Sequence, residues 1–175
     1  MKGRTIDMDT VRKGKAWVFG DNVNSESIMA TGTDFNPALA AQSCLMFYDE
    51  TFHTDVKPGD IIVAGRNFGN SSSRPAAKVL KYLGVSAILC ESAGRIFYRN
   101  TWNIGVPVFE CPKINTLFKK GDQVEVDVAT GKIRNLTTGA EAQAAPPIPL
   151  LVERWSKGGM IDWINTRRDQ YDTLE

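Results

Sequence analysis

Three serines and an arginine, Ser71-Ser72-Ser73-Arg74, stand behind two glycines and ahead of a proline in GRNFGNSSSRPAA, residues 65–77. These residue types suit one kind of chemistry. Arginine presents a planar fork of donors that grips a carboxylate at two points. A serine hydroxyl is far too weak an acid to serve as a base unaided, but a nearby guanidinium and the free N–H groups of a helix start favour its alkoxide. The stretch therefore suits a carboxylate-bearing ligand, with a serine in the role of base. The same residues also make an ordinary turn, because serine caps helices and glycine bends chains. It is not a P-loop, since no Gly-Lys-Ser/Thr follows.

The elements on either side favour a ligand site. KPGDIIVAG (57–65) reads as a Pro-Gly turn feeding a short buried strand, Ile61 to Ala64. PAAKVLKYLG (75–84) reads as a helix with Pro75 at its start and Gly84 at its stop. VSAILCES (85–92) is a second buried strand, GRIFYRNTWNIG (94–105) a second helix packed through Ile96, Phe97, Trp102 and Ile104, and VPVFECP (106–112) a third strand. Strand-helix alternation of this kind predicts an α/β fold with parallel strands, in which ligands sit at the carboxyl ends of the strands. The serine loop lies at such an end. Upstream, KAWVFG (15–20) is a strand entering a turn. NPALAAQSCLMFYDETF is expected to be one helix capped by Asn36, with Leu39, Ser43, Met46, Cys44 and Phe47 forming its apolar stripe. Downstream, Val124, Val126 and Val128 alternate through a β-hairpin, and IPLLVERWSKGGMIDWINTRR is an amphipathic helix broken at Gly158-Gly159. The expected organisation is a polar arm over 1–12 and a single domain over 13–175. Its core is 15–112, and its hairpin and C-terminal helices occupy 113–175.

Composition narrows the partners. Lys plus Arg number 21 against 20 for Asp plus Glu, and a net charge of +1 gives no electrostatic case for nucleic acid or an anionic membrane. No apolar run approaches a membrane span, and MKGRTIDMDTVRKGK is too polar for a secretory leader. Three cysteines at wide spacing, Cys44, Cys90 and Cys111, form neither a disulfide framework nor a metal pair, which points to a reducing, cytoplasmic setting. Cys90 and Cys111 fall in or beside apolar strands, where a thiol packs as a small hydrophobe. The one histidine, His53, lies in a polar connector, so neither a His-rich metal site nor a serine-hydrolase triad is expected, and no GxSxG elbow occurs.

NFGNSSSRPAA resembles the NFG-x-GSSREHA pattern of the aconitase superfamily's swivelling small domain, as found in the small subunits of 3-isopropylmalate dehydratase and homoaconitase. FGDNV (19–23), KPGDIIVAGRNFG (57–69), GVSAILCESAGRIFYRN (84–100), NIGVPVFECP (103–112) and GDQVEVDVATGKIRNLTTG (121–139) follow in the family's order, from about Lys13 onward. The resemblance implies a compact β/β/α swivelling domain. It implies a two-subunit hydro-lyase that dehydrates and rehydrates a hydroxy di- or tricarboxylic acid such as a substituted malate. In that enzyme a separate large subunit carries a [4Fe-4S] cluster, and this chain binds no metal or cofactor of its own. Ser72, first of the Ser-Ser-Arg, is the implied catalytic base, and Arg74 the implied carboxylate ligand. Asn70, Ser71 and Ser73 beside them, with Ala30 and Thr31 of the loop MATGTDF (29–35), are the implied substrate-binding residues.

The sequence departs from the pattern at several points. Ser71 stands where the family has glycine, Pro75-Ala76 where it has Glu-His, Asn24-Ser25-Glu26 where it has Asp-Thr-Asp, and Glu91 where it has lysine. The loop over 29–35 is shorter than the family's and lacks arginine, which suits a substrate with an apolar substituent. These departures define a divergent paralogue, and leave open a non-catalytic binding or regulatory module that kept the fold. Arg66 and Asn67 are expected to shape the loop rather than to react. Trp102, Trp155 and Trp163 are expected in the core or at a partner contact, and Arg95 and Arg99 on a solvated or ion-paired helix face.

Overall fold

The computed structural model describes residues 9–30, 36–71 and 74–168. Its frame is one seven-stranded sheet built around strand β1 (Val11–Val18). The second half of β1, Ala16 to Val18, pairs in parallel with β2 (Ile61–Ala64). β2 continues in parallel to β3 (Ala87–Cys90), and β3 to β4 (Val108–Glu110). Helices α4 (Ala76–Tyr82) and α5 (Arg95–Asn103) make the crossovers, as the alternation predicts. Every residue of β2 and β3 is buried, the mark of strands covered on both faces.

The first half of β1, Val11 to Lys15, pairs antiparallel with β5 (Gln123–Asp127). Beyond it lie β6 (Lys132–Asn135) and β7 (Glu141–Gln143). Here burial alternates, with Val124, Val126 and Ile133 inward and charged residues outward. The hairpin is as predicted. β7 is an added strand whose sequence, Glu-Ala-Gln, carries no apolar alternation to announce it. β1 also begins at Val11, inside the stretch expected to be an arm, because Val11 and Arg12 pair with Asp127 and Val126.

At the switch point of β1 a buried carboxylate joins the two halves. Asp60 accepts hydrogen bonds from the backbone N–H groups of Lys15 (3.3 Å) and Lys57 (2.9 Å) and from Trp17 Nε1 (2.8 Å). Three donors make burial of that charge tolerable.

Residues 36–52 do not form the single helix expected. Asn36 caps α2 (Pro37–Ala41) as predicted, accepting from Ala38 and Leu39 N–H, but the helix ends there. Tight i→i+3 turns follow, and Leu45 takes φ 57° with its N–H donated to Ser27 O (3.0 Å). Cys44 and Leu45 are thereby drawn fully into the core, while Leu39, Met46 and Phe47 of the expected stripe are 51%, 37% and 76% exposed. Tertiary packing against the segment α1 (Ser25–Ile28) overrides local helix propensity. A short helix, α3 (Phe52–Asp55), then packs Phe52 edge-on against Trp17 (5.1 Å between ring centroids) and Phe19. The C-terminal pair α6 (Pro149–Ser156) and α7 (Met160–Asn165) breaks at Gly158-Gly159 as expected. Trp102, Trp155 and Trp163 are all buried.

Candidate active site

Three segments leave the carboxyl ends of β1, β2 and β3 and are zipped together there. From β2, Gly65 to Asn70 lies between the other two. Asn22 N–H donates to Arg66 O (2.7 Å), Gly69 N–H to Val23 O (2.7 Å), and Ser25 N–H to Asn70 O (2.9 Å) on the β1 side. Phe68 N–H donates to Ser92 O (3.0 Å) and Gly94 N–H to Phe68 O (2.8 Å) on the β3 side. The carboxyl ends of parallel strands are where open α/β sheets place their ligands.

Side chains complete the zipper. Arg66 holds Asp21 through its backbone N–H (2.8 Å) and its guanidinium (3.0 and 2.7 Å). That backbone hydrogen bond and the guanidinium together keep the Asp21 carboxyl below the ordinary carboxylate range. Asn67, at φ 59°, donates its backbone N–H to Ser92 Oγ and its amide to Asn22 Oδ1, both at 2.9 Å. Both residues are therefore structural, as their types suggest. Gly69 must be glycine: it sits at φ 72°, and a Cβ there would lie 2.2 Å from the ring of Phe97.

The site residues predicted from sequence fall into three groups. Ser72, Ser73 and Thr31 lie outside the described residues. Asn70, Ser71 and Arg74 are brought to one place, around Ser25. Ser25 Oγ is 3.2 Å from Ser71 Oγ, and Ser25 also lines a recess of about 250 Å³ with Arg74, Phe97, Asn100 and Asn103. Arg74 is half-buried there. Asn70 and Ser71 border a second recess of about 270 Å³ with Gly94 and Arg95, and Phe97 lines both recesses. Ala30 is exposed at the end of the β1 segment, beyond Met29. Arg95 and Arg99 are exposed on α5, on the solvated face expected of them.

Sequence reasoning noted Glu26 only as a departure from the family pattern and gave it no role. Its carboxylate accepts a short hydrogen bond from Ser71 Oγ and lies 3.5 Å from Ser25 Oγ. Its signal was an acid within α1, next to the turn that leaves β1, behind the N-cap Asn24 that accepts from Ser27 N–H (2.8 Å).

The cysteines take no part in the site. Cys44, Cys90 and Cys111 are free, and burial pushes each thiol up, away from the thiolate a metal would need. Among the described residues no three His, Cys, Asp or Glu side chains are grouped to hold a metal ion. No described helix is long and apolar enough to cross a membrane.

Residues 7–113 match the Aconitase C-terminal domain, a stretch that holds β1 to β4 and all three site segments. The chain belongs to that family. It is 40% identical over 163 residues to the 3-isopropylmalate dehydratase small subunit of Thermodesulfovibrio yellowstonii, covering 91% of this chain and 97% of the relative. It is 39% identical, with the same coverage, to the isopropylmalate/citramalate isomerase small subunit of Methanocaldococcus jannaschii. The crystal structure of a 3-isopropylmalate dehydratase from M. jannaschii superposes with a TM-score of 0.84 at 33% identity, over 94% of this chain and 99% of that one. The fold is thus the α/β swivelling domain of the dehydratase small subunits, and this aconitase-family chain is of the dehydratase small-subunit type.

Proposed function

We propose that this chain is the small subunit of a two-subunit hydro-lyase that dehydrates and rehydrates a hydroxy-dicarboxylic acid, a malate with a small apolar substituent. The observation that carries this reading is the placement of Arg74. It lines a recess at the carboxyl edge of the parallel sheet, beside Ser25 and directly after the serine run. A half-buried guanidinium grips a carboxylate more strongly than an exposed one, because less water competes for it. In this reading Arg74 anchors one substrate carboxylate, and Ser72 takes the proton from the carbon next to it. Removal of that proton requires a hydroxyl held as its anion, which a neighbouring guanidinium favours. Asn70 and Ser73 flank the substrate, and Ala30 and Thr31 face its substituent.

The large subunit supplies the rest of the site. A [4Fe-4S] cluster held there would supply the Lewis-acid chemistry needed for loss of the hydroxyl. The three buried thiols of this chain do not fit that role. They do fit a protein kept reduced in the cytoplasm.

The test is reconstitution. Mixed with a large subunit carrying its cluster, the chain should turn over one or more of a panel of 2- and 3-substituted malates, and alone it should turn over none. Ser72→Ala and Arg74→Ala should each lower kcat/KM by roughly a thousandfold while the two subunits still associate. Near-normal turnover by Ser72→Ala would remove Ser72 from the chemistry. Association without turnover on any hydroxy acid would leave a binding module.

A further inference from the structure

Ser71 occupies the position where the family resemblance expects glycine, and it keeps glycine's conformation, with φ 68°. A residue with a Cβ adopts that region only at a cost, and a serine there needs something to hold it. The structure supplies a partner. Ser71 Oγ donates to the Glu26 carboxylate, and Ser25 Oγ stands 3.2 Å from the same hydroxyl. Ser25 also donates its backbone N–H to Asn70 O (2.9 Å), so two bonds tie the β1 segment to consecutive residues of the serine loop. Glu26 is itself fixed on α1, which Asn24 caps.

We propose that Ser71 is a positioning residue. Its hydrogen bond to Glu26 substitutes for glycine, locking the left-handed turn from which the segment leading to Arg74 departs. The proposal rests on the function given above, in which that segment grips and deprotonates the substrate. A loose turn would misplace the reacting groups by fractions of an ångström, which lowers the rate of the chemical step more than it lowers affinity. At this turn glycine needs no lock, serine is held by the acid, and alanine carries the conformational cost with nothing to offset it.

The pairing is tested in the reconstituted two-subunit enzyme on substituted malates. Ser71→Ala should lower kcat about tenfold with KM within about twofold of wild type. Ser71→Gly should recover most of that loss. Glu26→Ala should lower kcat in the wild-type background and cost at least about threefold less in the Ser71→Gly background, since the bond it breaks is already gone. An equal cost of Glu26→Ala in both backgrounds overturns the proposal, as does a wild-type kcat for Ser71→Ala. Amide hydrogen exchange on the full chain alone gives a readout independent of turnover. The Gly69, Asn70 and Ser71 amides should exchange several-fold more slowly in wild type than in Ser71→Ala. Equal exchange rates overturn the lock even if the enzyme is active. Slower exchange together with no turnover on any hydroxy acid leaves the lock standing and overturns the function it was assigned to serve.

Discussion

The two halves of the sheet solve the problem of tight turns in opposite ways. In the antiparallel half, the left-handed positions at the turns are glycines: Gly121, Gly131 and Gly139. At the carboxyl edge of the parallel half only Gly69 is such a glycine, and Asn22, Asn67 and Ser71 hold left-handed positions with side chains attached. Each of those three side chains joins one segment to another, Asn22 to Asn67 and Ser71 to Glu26. Glycine makes a turn cheap and leaves it bare, and a side chain makes it costlier and lets it be fixed from outside. The hairpin half needs only to close its turns. The other half must hold three loops in one fixed arrangement, which is what a preorganised ligand site requires.

The junction between the halves gives the first way to break this comparison. Asp60→Ala would leave Lys15 N–H, Lys57 N–H and the Trp17 indole without their acceptor where β1 changes from antiparallel to parallel pairing. A loss of about 3 kcal/mol in unfolding free energy is expected from a buried acceptor shared by three donors. Urea denaturation measures it. If the loss is below about 1 kcal/mol, the carboxylate is incidental and packing alone joins the halves.

A smaller effect sharpens the comparison at Asn67. Asn67→Ala removes the bond to Asn22 and keeps a Cβ at φ 59°, for a cost of about 1–2 kcal/mol. Asn67→Gly removes the same bond but relieves the backbone, so its cost should be less than half as large. Equal denaturation midpoints for the two variants would show that no conformational cost is stored there.

What could be read in advance follows the same division. β2, α4, β3, α5 and β4 were legible because unbroken runs such as IIVA and AILC, alternating with helical patterns, permit few other arrangements. The place of the loop that follows β2, at the carboxyl end of the parallel strands, was legible from its residue types and its position after a strand. The fate of 36–52 was not. Local spacing favoured one helix, and only the core beneath α1 decides that Cys44 and Leu45 turn inward while Phe47 faces out. Glu26 was hidden for a related reason. It lies 45 residues from Ser71 in sequence, and nothing in either local stretch marks them as partners.

Acid distinguishes the halves most gently. The antiparallel half is laced by carboxylates, and three of them, Asp122, Glu125 and Asp127, have their pKa values held down. Glu125 is held by Lys13 on β1 (2.9 Å), with Arg134 on β6 adding to it, and Asp122 by the Lys119 N–H and the Asn135 amide. Burial alone would raise Asp127, but the hydroxyls of Thr130 and Thr10 and nearby backbone N–H groups outweigh it. A carboxyl with a depressed folded-state pKa adds stability that is fully present above its unfolded value, near pH 4, and is lost as pH falls through the folded value. At the carboxyl edge of the parallel half Asp21 is the corresponding group, and β2 and β3 are fully apolar. Between pH 5 and about pH 3, amides of the hairpin such as Val126 and Ile133 should therefore lose exchange protection before Ile62 and Leu89 do. These carboxylates are only partly buried and their charged partners are at the surface, so the separation should be small and should shrink further in high salt. Coincident loss at all four amides would mean that the halves open as one unit and that the charged rows across β1, β5 and β6 add nothing of their own.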